Sequence, residues 1–165
     1  MPFAPTSSVV STDLDNMLRG LNRDNSSTSL TGSLIETTLK TFTVPANTIG
    51  ATGGIRVLVA GTLTGVAGTK TMRLKFGGTT LATITQAAGT TSDWYFDAWC
   101  YNTATNAQRW FIQRNGNDVL TSSFDYITSA LDTTQNQILL VSGQLGNVGD
   151  NTTATLWDVF VVQIT

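Results

Sequence analysis

Thr69-Lys70-Thr71-Met72-Arg73-Leu74-Lys75-Phe76-Gly77-Gly78-Thr79 is the stretch that decides the fold. Met72, Leu74 and Phe76 point to one side of an extended chain, and Thr71, Arg73 and Lys75 to the other. A period of two is that of a half-buried strand. The glycine pair that follows accepts the positive φ of a two-residue hairpin, so a second strand returns over 79–85. Working outward, the same logic predicts strands over 37–44, ended by Pro45, and over 54–64, with Ile55, Val57 and Val59 on one face. Further strands are predicted over 93–101, 108–114, 118–122, 124–128, 137–145 and 153–165. The 93–101 segment puts Trp94, Phe96, Ala98 and Cys100 on one side and Tyr95, Asp97, Trp99 and Tyr101 on the other. Asn115-Gly116 is a type I′ turn signal, so 108–114 pairs either with 93–101 or with the strand beyond that turn.

Eight to ten short strands separated by turn residues, with no helical crossover between them, predict an all-β antiparallel sandwich or barrel. The final segment is apolar on both faces. Leu156, Phe160, Val162 and Ile164 lie on one and Trp157, Val159 and Val161 on the other. A strand covered twice gives the expectation that Trp157, Val159 and Val161 meet a partner subunit.

The first 34 residues read differently. Residues 1–10 form a Pro/Ser/Thr-rich arm. Ser11 or Thr12 can cap a helix with Asp13 and Asp15 in its first turn, where the dipole favours anions. Leu14, Met17, Leu18 and Leu21 follow at helical spacing, and Gly20 limits the length. Residues 22–34 are rich in Asn, Ser and Thr and read as a linker. The expected organisation is an anchor over 1–34 and a β-sandwich head over 35–165.

Composition narrows the chemistry. The 165 residues include 30 threonines, one glutamate, one cysteine and no histidine. Threonine suits the pleated surface of a strand, whereas histidine is the usual proton carrier near neutral pH. The pattern is that of a scaffold that binds or assembles, not of an enzyme. Charged residues make up only 12% and the net charge is −2, which argues against a nucleic-acid footprint. No run approaches 18 apolar residues, so no membrane span is expected. Met1-Pro2-Phe3-Ala4-Pro5 lacks the features of a signal peptide, and synthesis in a reducing cytoplasm is the expectation.

Each candidate for chemistry has a plainer reading beside it. Asp93 and Asp97 share a face with Tyr95 and Trp99, so they could form a glycosidase pair or line a face where Tyr95, Trp99 and Tyr101 stack on sugars; the plainer reading is a solvated surface. Cys100 has no base to activate it and points inward as a small core residue. No Cys/His cluster or EF-hand spacing calls for a metal, and Gly149-Asp150-Asn151-Thr152 reads as a turn. Gly50–Gly54 and Gly77-Gly78 lack the Lys-Ser/Thr of a phosphate loop. Arg109, Trp110, Phe111 and Arg114 could grip an anion, although alternation places Trp110 and Ile112 in the core with Arg109 and Phe111 opposite. No cofactor is expected.

Thr38-Leu39-Lys40-Thr41-Phe42-Thr43-Val44-Pro45-Ala46-Asn47-Thr48-Ile49-Gly50, then Gly54-Ile55-Arg56-Val57, Ala60-Gly61-Thr62-Leu63, Gly68-Thr69-Lys70-Thr71 and Leu74-Lys75-Phe76-Gly77-Gly78-Thr79, occur in that order before the strand holding Trp94. Together they resemble the jelly-roll-like β-sandwich modules of structural proteins of tailed bacteriophages, over residues 35–165. The resemblance implies a virion component without enzymatic activity, of the capsid-decoration, head-fibre or tail-fibre kind, often a homotrimer. Its partners would be other capsid, neck or tail proteins, met through the stripe Leu14, Met17, Leu18 and Leu21. The competing expectation is a carbohydrate-binding module that recognises a host-surface glycan.

Overall fold

The computed structural model describes residues 19–162 apart from 66, 90 and 117–122. Among these, every regular element is a strand: β1 Arg19–Asp24, β2 Thr28–Thr31, β3 Thr37–Val44, β4 Gly54–Thr64, β5 Lys70–Phe76, β6 Thr79–Gln86, β7 Ser92–Ala104, β8 Ala107–Gly116, β9 Ser123–Ser129, β10 Gln137–Leu145 and β11 Asn151–Val162. They form two antiparallel sheets. The larger runs β1-β11-β4-β7-β8-β9, with β2 also paired to β11; the smaller runs β3-β10-β5-β6. The predicted all-β antiparallel sandwich is therefore what the chain forms.

The β5–β6 hairpin is as the sequence predicts. Gly77 and Gly78 have φ of 54° and 81°, the left-handed pair that a two-residue turn matched to strand twist requires. Met72, Leu74 and Phe76 are fully buried, and β5 pairs with β6 from Lys70–Gln86 to Phe76–Thr79. Three of the four tryptophans, Trp94, Trp110 and Trp157, lie in the interior between the sheets. Phe76 meets Trp110 edge-on at 5.2 Å, one of the contacts that join the two layers.

Several expectations are corrected. Leu14, Met17 and Leu18 lie outside the described residues. The part of the predicted helix that is described, Arg19 to Leu21, is extended: it opens β1, which pairs with β11 from Arg19–Val161 to Asp24–Trp157. The edge of β11 offers backbone hydrogen bonds over this whole length, and Leu21 packs against the core as a strand residue. The linker reading of 22–34 fails for the same reason. β2 pairs with β11 from Thr31–Asn151 to Thr28–Ala154, and Leu30 is buried. The buried ammonium of Lys40 ties the β1–β2 turn to β3 by donating to Asp24 Oδ2 and the Ser26 carbonyl, both at 2.7 Å, and to Ser26 Oγ at 2.9 Å.

Asn115-Gly116 is not a turn. Both residues continue β8, opposite Tyr95 and Trp94, and the predicted strand over 118–122 lies outside the described residues. β8 pairs with β7, the first of its two expected partners, and on its other edge with β9, the strand predicted over 124–128.

The most consequential correction concerns β11. Trp157, Val159 and Val161 are 0%, 0% and 4% exposed; they fill the monomer's own interior and are not a surface for a partner subunit. A bulge at Thr155, between the Ala154–Gly61 and Leu156–Ala60 pairs, shifts the phase of the strand by one residue. Thr152 and Ala154 face inward before it, and Trp157, Val159 and Val161 after it. Leu156, Asp158, Phe160 and Val162 are thereby turned to the outer face.

Candidate functional site

The outer face of the larger sheet carries the side chains that alternation leaves over once the core is filled. On β7 the inner set Trp94, Phe96, Ala98 and Cys100 is buried, while Tyr95, Asp97, Trp99 and Tyr101 are half-buried on the outside. Cross-strand register carries this set sideways. Trp99 lies opposite Arg56 of β4 and Phe111 of β8, and Phe111 lies opposite Tyr126 of β9. One row perpendicular to the strands therefore reads Arg56, Trp99, Phe111, Tyr126.

Rings gather around Phe111 of this row. Phe111 is the hub, with ring centroids 5.2 Å from Tyr126, 5.9 Å from Phe124 and 6.5 Å from Tyr101. Phe124 and Tyr126 are 67% and 53% exposed, although both belong to a paired strand. Clustered exposed aromatics on a sheet face are a mark of a contact surface, unlike a single exposed apolar residue. Such rings are rigid, apolar on their faces and able to stack.

A cation borders the platform. The Arg56 guanidinium lies 4.5 Å above the Trp99 ring and donates from Nε to Asp97 Oδ1 at 2.9 Å and from Nη2 to Asp97 Oδ2 at 2.7 Å. This two-point fork fixes both partners and raises the guanidinium pKa further, chiefly through the hydrogen bonds to Asp97. Arg114 is not part of this border: it lies opposite buried Phe96, on the inward side of β8, where it donates to Asp125 Oδ2 at 2.6 Å and to the Thr83 carbonyl of the smaller sheet. Arg109 is exposed beside Tyr101.

Of the predicted sugar-stacking trio, the structure brings Trp99 and Tyr101 to Phe111 and leaves Tyr95 apart. Tyr95 lies four residues along β7 from Trp99, ~13 Å at about 3.3 Å per residue. Asp93 and Asp97 are separated by the same four residues, beyond the ~5–9.5 Å of glycosidase carboxylates, and Asp97 is occupied by Arg56. Cys100 is fully buried, and burial pushes its thiol pKa well up. Among the described residues no three His, Cys, Asp or Glu side chains gather as metal ligands, and no helix is long and apolar enough to cross a membrane.

Sequence reasoning missed Arg56, Phe124 and Tyr126. Arg56 sits within an apolar strand, and only the β4–β7 register places it over Trp99. Phe124 and Tyr126 are two apart on β9, a period-two signal that was visible, but the face they share with Phe111 follows from pairing.

No protein-family model and no curated protein matches this chain. Solved structures that this chain is similar to include the CBM2 module of the evolved Dit of Lactobacillus casei BL23 phage J-1. It is 10% identical, with a TM-score of 0.43, over 76% of this chain and 69% of that one. Lectin UEA-II complexed with galactose is 8% identical, with a TM-score of 0.38, over 88% and 92%. The structure of infectious bursal disease virus, Gx strain, is 12% identical, with a TM-score of 0.28, over 88% and 42%.

Proposed function

We propose that this chain is a non-enzymatic, jelly-roll-like structural module of a tailed-phage virion whose larger sheet recognises carbohydrate. The observation that carries the binding half is the Phe111 cluster beside the Arg56-capped Trp99. Flat rings in a row across the strands offer stacking surfaces for successive sugar rings. The flanking Asp97, Arg109 and Gln113 supply hydrogen-bonding groups for their hydroxyls, the mixture of apolar walls and few polar anchors that defines a ligand site. The virion half is supported by the sequence resemblance over residues 35–165.

The test is a glycan array probed with the full chain, alongside the Trp99→Ala and Phe111→Ala variants. A defined class of oligosaccharide binds the wild type, and each variant loses at least tenfold in affinity with an unchanged circular-dichroism spectrum. An array on which nothing binds sinks the carbohydrate reading. Attachment to the particle falls to residues 1–18, and deleting them leaves a folded protein that no longer decorates particles. Homotrimeric assembly uses surfaces other than Trp157, Val159 and Val161, and a monomer by light scattering removes it.

A further inference from the structure

The outer face of the larger sheet also holds a carboxylate that its neighbours leave unsatisfied. Asp158 of β11 is only 6% exposed. Its Oδ1 is buried and accepts no hydrogen bond. The Arg23 Nε is 3.6 Å from it, too far for one, and the Arg23 side chain is 76% exposed. Asp97, on the same face, is treated differently: Arg56 forks it with two hydrogen bonds. A carboxylate withdrawn from water without a full set of partners is costly, and one retained at a cavity wall is available to a ligand that donates.

Asp158 lines a cavity of about 340 Å³ together with Gly20, Leu21, Asn22, Arg23 and Phe160. The volume falls within the ~300–1,000 Å³ of small-molecule sites. The β1–β11 register shifts between Gly20 and Asn22, and irregularities of this kind often re-aim side chains beside binding sites. The chemistry of the wall selects the ligand. The carboxylate, paired only loosely with the exposed Arg23 that shares the wall, asks for hydroxyl donors, while Phe160, half-buried beside it, offers an apolar ring. A neutral sugar ring has both a rim of hydroxyl donors and an apolar C–H face.

Position links this cavity to the platform. Phe160 lies opposite Arg56 on β4, and Arg56 lies opposite Trp99. The row therefore runs Phe160, Arg56, Trp99, Phe111, Tyr126 from β11 to β9, four strand spacings or ~19 Å at about 4.8 Å each. The geometry points to a terminal-sugar subsite in which Asp158 Oδ1 accepts from the hydroxyls of a neutral hexose, the ring packs on Phe160, and the rest of the glycan crosses the strands over Trp99. This assignment rests on the carbohydrate reading of the platform.

The experiment is amide chemical-shift mapping on the full-length, isotopically labelled chain. The probes are glucose, galactose, mannose and N-acetylglucosamine, then the oligosaccharide selected on the array. At least one monosaccharide shifts the amides of residues 20–23 and 158–160. Asp158→Asn weakens that binding at least tenfold and Phe160→Ala at least fivefold, while Thr85→Ala, exposed on the smaller sheet, leaves it within twofold. Monosaccharide shifts confined to the Trp99–Tyr126 region overturn the subsite and leave the carbohydrate reading intact. So does an oligosaccharide response with no monosaccharide response, or wild-type affinity in Asp158→Asn. No response to any saccharide overturns both. The wild-type mapping decides the matter even if a variant fails to fold.

Discussion

The two outer faces of the sandwich are built from different materials. The larger sheet presents Trp99, Tyr101, Phe111, Phe124 and Tyr126, with Arg56 forked to Asp97. The smaller sheet presents threonines, among them Thr41, Thr43, Thr71, Thr83 and Thr85, with a single exposed aliphatic, Ile138, opposite Thr43, and one charged cluster. In that cluster Glu36 receives Lys75, Arg73 at 3.3 Å and the Ser142 hydroxyl at 2.6 Å. Both faces cover the same interior and both satisfy the β-former rule, so strand formation does not require the aromatics. What differs is the cost of exposure. Threonine is at home in water, whereas a row of exposed rings is a standing liability unless something covers it. The contrast marks one face as solvated and the other as a contact surface.

The sharpest way to break that assignment lies beneath both faces. Trp157→Ala removes a fully buried ring, and such truncations cost about 3–5 kcal/mol. The denaturant midpoint falls strongly whatever the protein concentration. A variant that keeps its midpoint and only dissociates an oligomer would return Trp157 to a subunit surface and undo the inner and outer sets of β11.

The next effect separates the faces directly. Trp99→Ala lowers oligosaccharide affinity at least tenfold, ~1.4 kcal/mol, while Thr85→Ala on the other sheet leaves affinity unchanged. Thr85 is exposed opposite Thr71, and surface changes of this kind stay within about 0.5 kcal/mol in stability. Equal losses of binding from the two substitutions, measured by isothermal titration, would erase the functional contrast.

How much of this was legible follows from which signals are local. The β5–β6 hairpin and the inward set of β7 are written in consecutive residues, and alternation read them correctly. The β11 faces were misassigned because one bulged residue, Thr155, reverses the phase of a strand whose two sides are both apolar, and nothing in the composition marks it. β1 and β2 were hidden because their pairing partner lies more than a hundred residues away; a few apolar residues near Leu21 fit a helical period equally well, and the edge of β11 outweighed it. Asn115-Gly116 carries a turn signal that sheet pairing overrode. At the candidate site, Trp99 and Tyr101 were visible on their strand, but the row that joins them to Arg56, Phe111 and Tyr126 exists only in the register.

The smallest expected effect tests the smaller sheet's own electrostatics. The hydrogen bonds from Lys75 and then Ser142, aided by the charges of Lys75 and Arg73, hold the Glu36 pKa below its ordinary 4.5. Asp24, hydrogen-bonded first by Lys40 and then by Ser26, is lowered from 3.8 to about 2. Both acids bind protons more readily unfolded than folded, so their contributions are complete above the unfolded pKa and fade as pH falls through the folded one. Stability is therefore level above pH 5 and declines below about 4.5, with the Asp24 part extending toward pH 2. Glu36→Gln at neutral pH costs less than about 1 kcal/mol, since its partners are half-exposed and solvent screens them, and it makes the acid decline shallower. Urea midpoints of wild type and variant measured from pH 7 to pH 3 should converge as the pH drops. Midpoints that stay a constant distance apart would mean that Glu36 acts by packing and not by charge. The smaller sheet's single charged cluster would then be a packing feature of its threonine face.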